Sequence, residues 1–253
     1  MEITVLGSGT ITSSLRRNAS GLAVRASASW LLVDIGPGTL RRLCEARIDN
    51  RWIDVIFLTH FHTDHVSDLA PFLFASNYEF GERRQEPFFV VGPQGVEQFY
   101  QGLVGTYGDW VVPKGERLRV IELKADGLDA FTRGGVTVRS APSAHTFPSL
   151  SYRIEADGVS VTVSGDTDVS EKLVDLARNT DLLICESSLP AGQKVEGHLI
   201  PSEAGRIATA AGARRLVLTH FYPPCDVVDV VEEAAATFSG DIVRAEDLLV
   251  VRV

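Results

Sequence analysis

The chain has 253 residues, 45% of them hydrophobic, and no Pro/Gly/Ser-rich or charge-run linker divides it, so a single domain over residues 1–253 is expected. Its formal charge of -9 repels polyanions at long range, so large nucleic-acid contacts would need a local basic patch, and only small ones are seen. Met1-Glu2-Ile3-Thr4-Val5 lacks the basic-then-apolar profile of a secretion signal, and no apolar run reaches membrane-spanning length, which points to the cytoplasm.

Glu2 to Leu6 reads as a strand leading into Gly7-Ser8-Gly9-Thr10, whose glycines allow close approach of backbone. Ile11 to Ser20 is a polar loop, and Leu22 to Arg25 with Trp30 to Asp34 make a predicted hairpin. Asp34 ends its strand before Ile35-Gly36-Pro37-Gly38, either as a turn former or as a partner that steadies a ligand histidine. After a helix from Thr39 to Arg47 comes the apolar run Val55-Ile56-Phe57-Leu58, a buried strand, which stops and releases His60, His62, Asp64 and His65. His60 and His62, two apart on extended chain, leave on the same side and can close on one ion, whereas Asp64 and His65 point elsewhere and favour a second. The chain has only 6 histidines, and three of them fall in this H-x-H-x-D-H window, so chance gathering is a poor account of it.

Ser67 is expected to cap a helix running to about Phe80, with Pro71 in its first turn. Pro87 to Val91 reads as a strand, Gly95 to Gly102 as a helix, and Gly102 to Gly115 as an irregular stretch that could border a substrate together with the Ile11 to Ser20 loop. Strands follow at Leu118 to Leu123, Ala130 to Thr132 and Val136 to Ser140, the last leading to His145. Tyr152 to Ala156 and Val159 to Val163 form a hairpin about Asp157-Gly158, whose second strand runs into Ser164-Gly165-Asp166. Helix Glu171 to Arg178 and strand Leu182 to Cys185 precede a loop carrying Glu186 and His198; helix Ser202 to Ala211 and strand Leu216 to Thr219 deliver His220. A helix from Val227 to Phe238 and a strand from Leu248 to Val251 complete the chain.

His60, His145, Asp166 and His220 each follow an apolar strand by a few residues, so a stacked pair of sheets would bring them to one rim. Cys44 and Cys185 read as core thiols and Cys225 as a loop thiol, with no C-x-x-C site. The pairs Arg16-Arg17, Arg41-Arg42, Arg83-Arg84 and Arg214-Arg215 are dispersed and read as solvated faces.

With these residues in view the chain resembles the metallo-β-lactamase superfamily over nearly its whole length. The resemblance implies an α/β fold, a four-layer αββα sandwich with a dinuclear site on its rim. Carried over, it assigns one metal to His60, His62 and His145, the other to Asp64, His65 and His220, and a bridge to Asp166. Where lactam-cleaving zinc enzymes with the same loop carry a cysteine, this chain has Asp166, which argues against antibiotic hydrolysis. Leu6-Gly7-Ser8-Gly9-Thr10, Arg17-Asn18, Ser164-Gly165-Asp166-Thr167 and Leu218-Thr219-His220-Phe221 resemble ribonuclease Z and its phosphodiesterase relatives. His198 resembles the proton-donating histidine of that branch, and Glu186 its acidic partner.

Three features depart from that branch. The hairpin between His145 and Asp166 leaves no room for the long arm that grips transfer RNA, His198 is followed by Leu-Ile-Pro, and Cys185 replaces a histidine before Glu186. With the acidic charge, they argue against transfer RNA and for a small or short phosphodiester. The expected activity is a dinuclear metal-dependent hydrolase that cleaves the diester by metal-bound hydroxide, oriented by Asp64, with His198 as general acid. Thioester or lactone hydrolysis, iron-dependent redox chemistry on the same fold, and a metal-stabilised binding module are the alternatives. Zinc is the expected ion at a histidine-rich site, with manganese and iron also compatible. The resemblance also suggests a homodimer.

Overall fold

Placing alternate apolar residues of one strand in two different cores requires cover on both faces, and the run at 55–58 meets that condition. In the computed structural model, which describes residues 1–78 and 86–253, Val55 and Phe57 join the core between two sheets, while Ile56 and Leu58 pack into an outer core under helices. The first sheet contains β1 (Glu2–Gly7), β2 (Gly21–Ala26), β3 (Ser29–Val33), β4 (Ile53–Phe57), β5 (Phe88–Pro93) and β6 (Leu118–Leu123). The second contains β7 (Asp129–Arg133), β8 (Val136–Pro142), β9 (Leu150–Ala156), β10 (Val159–Val163), β11 (Leu182–Glu186), β12 (Arg215–Thr219) and β13 (Asp241–Arg244). The chain then returns with β14 (Val250–Arg252) to the β1 edge of the first sheet, giving the orders β14-β1-β2-β3-β4-β5-β6 and β13-β12-β11-β10-β9-β8-β7 among the described residues.

Helices α1 (Thr39–Glu45), α2 (Thr63–Val66), α3 (Leu69–Tyr78) and α4 (Val96–Tyr107) lie in the crossovers of the first sheet, where Leu43, Leu69, Phe72, Leu73 and Val96 close the outer core. Helices α5 (Glu171–Leu176), α6 (Pro201–Ala211) and α7 (Val230–Ala235) cover the second sheet through Leu173, Ala204, Ile207 and Val230. Between the sheets Phe57 meets Tyr152 at 5.3 Å between ring centroids, and the Tyr152 hydroxyl donates to the Leu58 carbonyl at 2.6 Å. The result is the expected α/β four-layer αββα sandwich.

Several element boundaries differ from the sequence expectation. Ser67 does not start a helix: it closes α2, with its hydroxyl on the Thr63 carbonyl, and α3 begins at Leu69 with Pro71 in its first turn. The expected end near Phe80 and the Arg83-Arg84 pair lie outside the described residues. Helix α4 runs through Gly102 and Gly105 to Tyr107, because Phe99 and Leu103 pack against the outer core and outweigh the entropic cost of glycine. The expected last long helix, Val227 to Phe238, is shortened to α7, with a 3-10 turn at Pro223–Val227 before it, and β13, a short edge strand parallel to β12, follows unforeseen. Cys44 is exposed, not core, while Cys185 and Cys225 are buried. No helix among the described residues is long and apolar enough to cross a membrane.

Strand direction positions the site. β3, β4, β5 and β6 run parallel, as do β10, β11, β12 and β13, and β8 shares the direction of β10 through two antiparallel steps across β9. The carboxyl ends of β4, β8, β10, β11 and β12 therefore share one rim, stitched across the sheets where the Leu150 N–H donates to the Thr59 carbonyl at 2.8 Å.

Candidate metal centre

The loop after β4 supplies four donors because it turns directly from extended chain into α2. His62 still has extended backbone as the residue before that helix, and Asp64 and His65 sit inside it. His145 comes from the loop after β8, Asp166 from the loop after β10, and His220 from the residue after β12, where it holds a positive φ of 61°. Ligand atoms of His60, His62, His145 and Asp166 lie within 4.8 Å of one another, as do those of Asp64, His65 and His220.

Asp166 stands between the two sets. Its Oδ2 is 3.8 Å from His60 Nε2 and 3.9 Å from His145 Nε2, and its Oδ1 is 3.4 Å from His65 Nε2 and 3.3 Å from His220 Nε2. Asp64 Oδ2 closes the second set at 3.6 Å from His220 Nε2 and 3.8 Å from His65 Nε2. In the first set, His145 Nε2 is 3.3 Å from His62 Nδ1.

The opposite ring nitrogens are committed to the protein. His60 Nδ1 donates to Thr59 Oγ1 at 3.0 Å, His65 Nδ1 to Asp34 Oδ2 at 2.7 Å, His145 Nδ1 to the Gly197 carbonyl at 2.9 Å and His220 Nδ1 to Ser188 Oγ at 2.9 Å. In a neutral ring each such bond leaves the lone pair on Nε2, the arrangement that outer partners impose on metal-ligating histidines. Four buried atoms, His60 Nε2, His65 Nε2, His220 Nε2 and Asp166 Oδ1, have no hydrogen-bond partner, and each such group costs about 1–3 kcal/mol if left unsatisfied. Three such ring nitrogens converging on the Asp166 carboxylate fit cations between them.

Electrostatics agrees with that donor set. Burial, reinforced by the neighbouring His65, pulls His60 down to about 2, so its ring is neutral. Burial pushes the Asp64 carboxyl up, but the His220 hydrogen bond and the neighbouring His65 outweigh it and hold Asp64 at about 2. At His65 itself burial favours the neutral ring, but Asp166 and Asp34 outweigh it and raise its pKa well above the usual value, so a cation at its Nε2 would take the place of a proton. At Asp166 burial likewise opposes ionisation, and the surrounding His220 and His65 hold the carboxyl well below its usual range. Ionised carboxylates among imidazoles make a donor set for divalent ions of the zinc or manganese type.

His198 stands at the edge of this centre. Its Nδ1 lies 3.1 Å from Glu186 Oε1 and 3.2 Å from Ser188 Oγ, and its ring stacks on His220 with centroids 5.8 Å apart. Burial lowers the His198 pKa, but the hydrogen bond and charge of Glu186 outweigh it and raise the net value. Glu186 is itself buried, accepting from the Thr167 N–H at 2.7 Å and the Leu199 N–H at 3.2 Å.

All nine residues singled out from the sequence, His60, His62, Asp64, His65, His145, Asp166, Glu186, His198 and His220, thus meet on one rim. Asp34 fills both roles left open for it: it turns the chain at a φ of 61° and carries His65, while its Oδ1 accepts from the Thr59 N–H at 2.8 Å. Ser188 was not foreseen. Its hydroxyl donates to Glu186 Oε2 at 2.5 Å while accepting from His220, and the signal available was its position two residues beyond Glu186, on the same side of extended chain. Arg17 is buried where a solvated face was expected, because Nη1 donates to Ser8 Oγ at 2.7 Å and to the Ala245 carbonyl at 2.8 Å, Nη2 pairs with Asp226 at 3.0 Å, and the guanidinium lies over Phe221. The Gly102 to Gly115 stretch instead borders a cavity of about 500 Å³ lined by Ala70, Pro71, Phe74, Tyr107, Trp110 and Val111, none of them a candidate ligand.

Residues 29–221 match the model of the beta-lactamase superfamily domain. The ribonuclease Z of Mycobacterium bovis is 31% identical over 98% of this chain and 96% of its own length. Among solved structures, the metallo-beta-lactamase fold protein YhfI from Bacillus subtilis superposes with a TM-score of 0.85 at 26% identity, over 99% of both chains. Human tRNase Z, short form, superposes with a TM-score of 0.82 at 25% identity, over 100% of this chain and 99% of that one.

Proposed function

Since the chain belongs to the beta-lactamase superfamily, among relatives named ribonuclease Z, and is a metal-dependent hydrolase, we propose that it cleaves phosphodiesters at a dinuclear centre with His198 as general acid. The observation that carries this reading is the divided carboxylate of Asp166, one oxygen toward His60 and His145, the other toward His65 and His220. His60, His62 and His145 would hold one ion, Asp64, His65 and His220 the other, and Asp166 both.

Divalent ions held by these residues would lower the pKa of a bound water and draw charge from the phosphate oxygens. The remaining work falls to the chain. Asp64 orients the attacking water. An alkoxide leaves poorly until it is protonated, and Glu186, outweighing burial, raises the His198 pKa and so favours the protonated ring. With Nδ1 tied to Glu186, that proton is offered from Nε2. Ser188 ties Glu186 to His220, so the acid and a ligand share one buried network.

The two-residue turn at Asp157-Gly158, which keeps the segment from His145 to Asp166 short, and the charge of -9 favour a small or short phosphodiester over transfer RNA. Metal content and hydrolysis of an aryl phosphodiester, a thioester and a lactone, on wild type and Asp166→Ala, test the reading. The expected result is two ions per chain and diester turnover, both lost in the variant. Acyl turnover alone, or bound iron with visible absorbance and no hydrolysis, would overturn it.

A further inference from the structure

Asp168 lies two residues past the carboxylate that divides the centre, and its backbone N–H and its two carboxylate oxygens tie it to two other loops. Its N–H donates to the Ala144 carbonyl at 2.7 Å, beside His145. Its Oδ2 accepts from the Gly197 N–H at 3.0 Å, and its Oδ1 pairs with Lys194 Nζ at 2.6 Å. Lys194 also pairs with Glu203 Oε2 at 2.6 Å, and that same oxygen accepts from the Ile200 N–H at 3.1 Å, at the start of α6. The segment from Lys194 to Ile200 is thereby tied at both ends, and it carries His198 between them.

Gly197 is the sensitive point. Its carbonyl is the acceptor that holds His145 Nδ1 at 2.9 Å, and a Cβ added there would stand 3.1 Å from that nitrogen. Its φ of +84° is one that a glycine adopts without strain. The same freedom means that the peptide on either side can swing unless it is held. Asp168 holds the N–H side, and His145 depends on the C=O side.

We propose that Asp168 and Lys194 form a latch that positions the loop of residues 190–199, and through the Gly197 carbonyl sets the orientation of His145, with His198 carried on the same segment. Both are positioning residues: neither belongs to the donor set of the metal centre. The side chains of Lys194, Asp168 and Glu203 are 31%, 29% and 15% exposed, so the pairs are partly shielded from salt. The catalytic consequence rests on the hydrolase reading above, whereas the effect on His145 can be read without any turnover.

The test compares Asp168→Ala, Lys194→Met and Lys194→Arg with wild type, all reconstituted with zinc. Histidine-selective 15N NMR reads the His145 ring, a chelator chase reads zinc release, and circular dichroism confirms folding. Losing the partner that orients a ligand is expected to speed release of zinc by about 10- to 100-fold in Asp168→Ala, and to move the His145 ring signal. Lys194→Met should show the same changes more weakly, and Lys194→Arg should restore them. A folded Asp168→Ala with wild-type ring signals and release rates, or a Lys194→Arg as damaging as Lys194→Met, overturns the proposal. If Asp168→Ala fails to fold, the two Lys194 variants decide it. If wild type turns over no diester, the hydrolase substrate fails, and the ring signals and release rates still judge the latch.

Discussion

The centre has a dry inner wall and a wet outer one, and they are held by different means. His60 and His65 are each 1% exposed and His220 is 3% exposed, with Asp166 buried among them. Their outer partners, Thr59, Asp34 and Ser188, are buried side chains at strand ends. His62 is exposed, and the His145 and His198 side chains are 8% and 15% exposed. His145 relies on a glycine carbonyl, and the loop beneath it on a partly shielded lysine. A hydrogen bond in low dielectric holds more firmly than one near water, so the inner ligands are held more rigidly than the outer ones, and the outer wall is the side open to substrate.

Variants on each wall can break or sharpen that division. The largest expected effect is at His198. General acids contribute about 10²- to 10⁴-fold, so His198→Ala should cost that much on an alkyl phosphodiester, with metal affinity unchanged. An activated aryl diester, whose leaving group needs no proton, should lose little. Equal losses on both substrates would remove the acid role and leave the outer wall without its chemistry.

Asp34→Ala attacks the inner wall. It strips the acceptor from His65 Nδ1 and from the Thr59 N–H at once, and metal affinity should fall by about 10- to 100-fold, as read by competition with a chelator. At saturating metal the ratio of alkyl to aryl turnover should remain that of wild type. A changed ratio would mean that the two walls are not separable.

Ser188→Ala touches both walls through one hydroxyl and should have the smallest effect. Losing its bonds to the Glu186 carboxyl group and to His220 costs about 1.5 kcal/mol, or roughly tenfold, divided between metal affinity and alkyl turnover. Steady-state kinetics beside chelator competition would show whether the loss falls on one wall alone.

The loop after β4 was the most legible part of the centre in sequence. The window His60 to His65 is a local pattern, and the buried strand before it follows from four apolar residues in a row. The hairpin about Asp157-Gly158 was equally plain, since the turn chemistry lies in two adjacent residues. His145, Asp166 and His220 carried weaker signals, each a polar residue after an apolar strand, and became a site only as a set. On the outer wall Gly197 reads as an ordinary loop glycine, and Lys194 and Asp168 as solvated charges. Nothing within a few residues of Gly197 indicates that its carbonyl faces a histidine 52 positions away. Arg17 teaches the same lesson, because its burial depends on Asp226 and the Ala245 carbonyl, brought to it by the return of the chain to the first sheet.

What the sequence by itself determined were the quantities that covalent adjacency controls: which strand is buried on both faces, where it stops, and which donors leave the loop beyond it. Tertiary structure decided which oxygen of Asp166 faces which histidines, which partner holds each Nδ1, and how the His198 loop is anchored. Those depend on how two sheets stack and how their parallel strands end on one rim. A stretch of chain specifies its own torsions and pattern, but the distance between two loops is set only when every strand between them has paired and the cores have closed.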